Sequence, residues 1–266
     1  MKNCRFAKAA VAGSLIAFIP FIAICHAQVG VPRSSAAGFS QPSHEEKLLL
    51  DSANRERAAA GLQPLKWDGA LAAAAFRHAE VMAREHLLSH QYPGEAPLAE
   101  RAAQAGARFA SIAENIALGP NAAEIHDGWM HSPGHRRNIL NGELTSIGIA
   151  TLKGSDGLFA VQDFSRPVPD LSIEQQEEKV VSLLRRSAFL FVAVTEDARK
   201  ACRMNRGFTG SSPSYTIRFE VTDLSKLPDQ LLEKARSHEY RRASVGACGE
   251  NDTAGFTRFR IAVILN

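Results

Sequence analysis

Six of the nine histidines in this 266-residue chain fall between His78 and His135. Histidine is a common metal ligand and the side chain that titrates near neutrality, so a cluster of this kind suggests a polar or metal-binding surface. His86 and His90 stand four apart, as do His131 and His135, the spacing that puts two side chains on one helical face. The first pair lacks the glutamate of a zinc-binding HExxH helix, and the segment from Leu87 to Pro93 reads as a helix end. The second pair has Pro133-Gly134 between its members, so a turn must bring them together if they converge. His78 lies on an apolar helical face, where a histidine is normally a packed, hydrogen-bonded core residue. His126 has no ligand-type residue three or four positions away and reads as surface. Glu114 stands in the apolar segment Ala113–Ala117, where a carboxylate has to be paired or hydrogen-bonded. Its role, structural or chemical, is open at this point.

The elements that must position these residues follow from caps and periodicity. Ser43 and Glu46 have the spacing of a capping box ahead of a helix that stops at Gly61. Asp68 is an N-cap for an alanine-rich helix over 69–87. A third helix runs from Pro97 to near Gly106, with proline at its start and glycine at its end. Asn121 and Glu124 repeat the capping-box spacing before a fourth helix that ends ahead of Pro133. The period then changes: 147–151 and 158–164 read as two strands joined by a turn-rich loop. Pro167, Pro169 and Asp170 mark a boundary. Beyond it come a helix over 173–186, strand-like runs at 188–194, 215–221 and 259–265, and a helix over 227–237. Helices first and a hairpin last indicate a layered α+β arrangement, not a parallel βαβ series.

Lys2, Arg5 and Lys8 precede an apolar stretch over 9–24 that ends at Cys25-His26-Ala27, the three-part pattern of a secretory signal cut after Ala27. The stretch is shorter than the roughly 20 residues of a spanning helix, and Pro20 interrupts it. The expectation is a secreted or periplasmic protein with no transmembrane segment in its mature part, and with 28–42 as a flexible leader. A formal net charge of +3 gives no support to nucleic acid as a partner. Cys4 and Cys25 leave with the signal, so Cys202 and Cys248 remain and most simply form one disulfide.

One run is too specific for composition to explain. Trp129-Met-His-Ser-Pro-Gly-His-Arg-Arg-Asn-Ile-Leu140, preceded by Ala113-Glu-Asn-Ile-Ala117 and followed by Ser146-Ile-Gly-Ile149, resembles the CAP superfamily in its bacterial form. This is the family of cysteine-rich secretory proteins, antigen 5 and pathogenesis-related 1 proteins, also called SCP-like. Asn54-Arg55, Gly61-Leu62, Pro64-Leu65, His78-Ala79, Met82-Ala83, Ser89-His90 and Phe164 fit in order. The resemblance covers about 43–166 and implies a three-layer α-β-α sandwich with a central antiparallel sheet and an open groove. The remaining 171–266 is expected to be a small accessory α+β domain with one disulfide. The family lines its groove with two histidines and two acidic residues. His90, Glu114 and His135 match three of these positions. The fourth falls on Ser132, with His131 as a substitute and Glu124 or Asp127 as lesser ones.

Three function classes follow. The first is a secreted binding module for a small ligand, a lipid or a divalent cation. The second is a metal-dependent hydrolase in which His90, Glu114 and His135 hold zinc with an open fourth position, lowering the pKa of a bound water. The third is a cell-envelope structural protein whose tail, through Arg185-Arg186, Arg199-Lys200, Arg203, Arg206 and Arg241-Arg242, faces anionic polymers.

Overall fold

Ser43 caps the first helix: its hydroxyl accepts from the Glu46 N–H, and its own N–H donates to the Glu46 carboxylate at 2.7 Å. The computed structural model describes residues 39–187, 191–204, 207, 215–250 and 255–266. The expected signal, most of the expected leader, residues 188–190 of one expected strand, and Arg206 lie outside these. No helix among the described residues is long and apolar enough to cross a membrane.

The capped helix α1 (His44–Ala59) is followed by β1 (Lys66–Trp67), α2 (Gly69–Glu85), α3 (Leu98–Gln104), β2 (Phe109–Gly119), α4 (Ala122–His131), α5 (Pro133–Ile139), β3 (Ser146–Lys153) and β4 (Leu158–Pro167). The strands form one sheet in the order β1-β3-β4-β2, so β2 is an edge. β3, β4 and β2 form the expected central antiparallel sheet, and the two-residue β1 adds in parallel to β3. α2 covers one face, packing Ala75, Ala79 and Met82 on Ile116, Ala150, Phe159 and Val161. α1 and α4 cover the other, packing Leu49, Ala53, Ile125 and Trp129 on Ile147, Ile149, Ala160 and Phe164. Covered from both sides, β4 is buried at every position from Leu158 to Ser165. This is the three-layer α-β-α sandwich.

Two contacts fix how the layers meet. A Cβ on Gly148 would fall 2.0 Å from the Ala72 nitrogen, so the backbone of α2 rests directly on β3 there. Arg57, wholly buried on α1, donates to the carbonyls of Gln63, Ile139, Asn141 and Leu144 at 2.8–3.1 Å. It thereby satisfies the free carbonyls at the end of α5 and in the loop that follows.

The C-terminal part continues with α6 (Ile173–Arg185), β5 (Phe191–Val194), α7 (Glu196–Arg203), β6 (Tyr215–Val221), α8 (Asp229–Arg236), β7 (Arg242–Glu250) and β8 (Phe259–Leu265). Its sheet order is β5-β7-β8-β6, again with a parallel first pair and antiparallel remainder. Strand for strand, this is the arrangement of the first sheet. The match extends to detail: Asp68 N donates to the Ile147 carbonyl and Thr195 N to that of Val245, each residue being the N-cap of the next helix. A Cβ on Gly246 would lie 2.2 Å from the Arg199 nitrogen, as that on Gly148 does from Ala72, each at the fourth residue of its helix. α7 and β7 are absent from the sequence reading. Cys202 on α7 and Cys248 on β7 form the disulfide, with Cα atoms 5.6 Å apart. The segment before β8 returns to the first sheet, where Thr257 N donates to the Phe109 carbonyl and the Phe256 ring meets that of Phe109 edge-on.

Candidate functional site

β2 supplies the centre of the site, because neighbouring residues of a strand point to opposite faces. Glu114 turns toward the α2 side and Asn115 toward the α1–α4 side. Each organises one histidine.

On the α2 side, Glu114 is almost fully buried, and both its oxygens are engaged. Oε1 lies 2.8 Å from His90 Nδ1, and Oε2 accepts a charge-assisted bond from Arg101 on α3. Arg101 also donates to the His90 carbonyl at 3.3 Å and to that of Ala96 at 3.4 Å, and faces Glu95 Oε2 at 3.7 Å. His78, wholly buried on α2, binds Glu95 Oε1 through Nδ1 at 2.7 Å and sets Nε2 at 3.8 Å from Glu114 Oε2. The chain reaches these positions because α2 ends sooner than expected. His86 caps it in the left-handed region at φ 52°, uncommon for a residue with a side chain. His86 and His90 therefore do not share a helical face. His86 pairs instead with Asp156, both side chains being exposed.

On the opposite side, Asn115 is wholly buried and donates to the His135 carbonyl at 3.2 Å and to Gln162 Oε1 at 3.3 Å. Asn138 donates to the Glu114 carbonyl at 3.2 Å and to Asn115 Oδ1 at 2.9 Å. These bonds fasten α5, and with it His135, against the edge strand. Pro133 opens α5 at a position where its missing N–H is no loss. His135 thus sits on a short helix of its own, and no single helix carries it together with His131, as Pro133-Gly134 predicts. Trp129 on α4 is buried and donates to the Ile116 carbonyl at 3.1 Å, a packing role.

The two imidazoles differ in charge preference. The hydrogen bond with Glu114 holds His90 above the usual imidazole range, against partial burial and Arg101. Burial, and secondarily the charge of His90, push His135 below that range. The two imidazoles are thus shifted in opposite directions. Because His90 Nδ1 is bound by the carboxylate, Nε2 is its nitrogen left for other partners, as when a carboxylate orients a histidine from behind.

His131 does not join this group. It ends α4 with its side chain 78% exposed, and its hydrogen bond and ion pair both run one turn back to Asp127. Glu124 binds Asn121 Nδ2 in the α4 cap. Among the described residues no three His, Cys, Asp or Glu side chains are grouped to hold a metal ion. Both Glu114 oxygens are engaged within the protein, Oε1 by His90 and Oε2 by Arg101. In the C-terminal part, Arg199 is held by Glu177 at 2.7 Å and Arg203 pairs with Glu196 at 3.5 Å, so these cations are partnered within the chain. Sequence reasoning missed Arg101, Glu95 and Asp163. An arginine among alanines on a short helix reads as solvated, and an aspartate inside a strand reads as its wet face.

Residues 50–164 form a CAP domain, matching the model described as the cysteine-rich secretory protein family. The chain is 36% identical over 123 residues to the uncharacterized membrane protein YlbC of Bacillus subtilis, covering 45% of this chain and 34% of that one. It is 34% identical over 111 residues to the uncharacterized protein YkwD of the same organism, covering 41% and 43%. The chain thus spans less than half the length of the curated relatives it matches. Among solved structures, an extracellular protein containing an SCP domain from Bacillus anthracis is 30% identical, with a TM-score of 0.42 over 45% of this chain and 39% of its own. A cysteine-rich secretory protein from Staphylococcus aureus is 20% identical, with a TM-score of 0.39 over 48% and 40%.

Proposed function

We propose that this CAP-domain chain works outside the cytoplasm as a binding module. In this reading His90 and His135, on either side of the β2 edge, line a groove that takes the polar group of a small ligand or lipid. The observation that carries the reading is the state of Glu114, buried and bound on both oxygens by His90 and Arg101. A carboxylate so engaged orients an imidazole from behind, which favours the binding reading over the zinc hydrolase expected from the sequence. His90, favouring the imidazolium, can donate to an anionic or carbonyl oxygen, and neutral His135 can donate or accept beside it. Export is supported by the signal-like first 27 residues and by the Cys202–Cys248 bond, which suits an oxidising compartment.

The test is a thermal-shift and calorimetric titration of residues 28–266 with long-chain fatty acids, sterols and zinc chloride. The expected result is binding of an amphiphile, weakened about tenfold by His90→Ala and by His135→Ala, the size of one lost polar contact. Amphiphile binding that neither variant alters, or zinc binding that both abolish, overturns the reading.

A further inference from the structure

Asp163 is a buried acid that the site described above does not use. It lies on the central strand β4, is wholly removed from solvent, and neither carboxyl oxygen meets a hydrogen-bond donor among the described residues. Its register partner on β2 is Glu114, and on β3 it is Gly148, which offers no side chain. Directly paired residues of adjacent strands stand on the same face with their Cβ atoms about 5 Å apart. Two carboxyl groups are therefore set side by side under α2.

The charged and titratable neighbours come from every element packed around the pair. α3 contributes Arg101, the one permanent cation. α2 contributes His78, whose Nε2 has no hydrogen-bond partner, and the segment after α2 contributes Glu95 and His90. Arg101 is already bound to Glu114 and faces Glu95, so among the described residues around the pair no permanent cation is left for a third carboxylate. A buried carboxylate without a donor or a cation is costly, and of two like charges in one site only one is readily kept.

We propose that Asp163 is a neutral carboxylic acid that donates its proton to Glu114, making it a positioning residue for the Glu114–His90–Arg101 cluster. Glu114 then accepts from three sides: His90, Arg101 and Asp163. An ionised carboxylate has acceptor sites for all three. Burial first, then the Glu114 charge and hydrogen bonding to it, push the Asp163 carboxyl well above its usual range, against Arg101. The C-terminal sheet serves as an internal control. The residues paired across it at the position of Gly148, Asp163 and Glu114 are Gly246, Ala262 and Arg218. The same strand arrangement thus closes with an alanine on its central strand, and the acid at 163 is not a demand of the topology. The assignment holds whether or not the β2 edge takes a ligand.

The sign of the pH effect follows from the proton count. Between about pH 4, where an unfolded aspartate ionises, and the higher value of the folded state, the folded chain keeps a proton that the unfolded chain releases. Stability from this group therefore falls as pH rises through that window. Asp163→Asn keeps the shape and a donor but carries no such slope.

The experiment combines carboxyl-carbon NMR of Asp163 in the full mature chain with melting curves of wild type and Asp163→Asn from pH 4 to 8. The His90 ring is titrated in both proteins. The expected result is an Asp163 signal in the acid form at pH 6, a melting temperature of the variant that gains on wild type as pH rises, and an unchanged His90 midpoint. An Asp163 signal that titrates near pH 4, with a lowered His90 midpoint in the variant, overturns the proposal. If Asp163→Asn does not fold, the wild-type carboxyl titration decides alone.

Discussion

Arg101 and Glu114 bind each other beneath the site with their side chains only 6% and 4% exposed. One comes from a seven-residue helix and the other from an edge strand, so the ion pair is also what holds α3 to the sheet at this point. Removing one partner of such a pair leaves the other charge buried and uncompensated. Arg101→Ala should cost about 3–5 kcal/mol of stability, read by urea denaturation at pH 7. A loss below about 1 kcal/mol, the range of exposed pairs, would mean that water reaches Glu114.

The two site histidines should titrate in a fixed order. As pH falls, His90 protonates first, because Glu114 holds its proton, and His135 last, because burial resists it. By linkage His90 adds stability that is present below about pH 6.5 and lost as pH rises through its folded value. His135 has the opposite sign, withdrawing stability as pH falls below the same point. Ring NMR should show both midpoints, and Glu114→Gln should lower that of His90. Coincident midpoints in wild type would contradict the assignment.

Gly148 and Gly246 should both refuse a side chain. At each, an added Cβ would press on helix backbone, 2.0 Å from Ala72 N in one case and 2.2 Å from Arg199 N in the other. Backbone cannot swing aside as a side chain does, so Gly148→Ala and Gly246→Ala should each cost about 3 kcal/mol, the upper end for overpacking. Thermal melts followed by circular dichroism check this. A variant that melts with wild type would show that the helix can lift off the sheet.

The Cys202–Cys248 bond closes a loop with a sequence separation of 46 residues between α7 and β7. On the loop-entropy model it contributes about 4 kcal/mol. Dithiothreitol, or Cys202→Ser with Cys248→Ser, should therefore lower the melting temperature measurably, and the double variant should become insensitive to the reductant. Residual sensitivity in that variant would point to another reducible group.

Much of this molecule was legible in advance, and the exceptions have physical causes. Caps and periods located α1, α2, α3, α4 and α6 to within a few residues, and β6 and β8 at their observed ends, because local side-chain chemistry decides such boundaries. β2 was not read as a strand: its Phe109–Gly119 run mixes Ser111, Glu114 and Asn115 with alanines, and its partners lie some fifty residues away on β4. α5 was missed because Pro133-Gly134 signals a break, whereas here proline starts a new helix. The motif residues His90, Glu114 and His135 sit around one edge strand, His90 and Glu114 in direct contact. His131 differs because the end of α4 turns it outward. Arg101 and Asp163 carried no local signal at all; only long-range strand pairing and helix packing make them neighbours of Glu114.

The matching strand order of the two sheets gives the final consequence. The N-terminal sheet carries a polar assembly of Arg101, Glu114, Asp163, His78 and His90. The C-terminal one fills the corresponding strand positions with Arg218 and Ala262. One frame sets two carboxyl groups side by side at these positions and its twin sets an arginine beside an alanine, so the carboxyl pair is an addition to the frame and not a condition of its assembly.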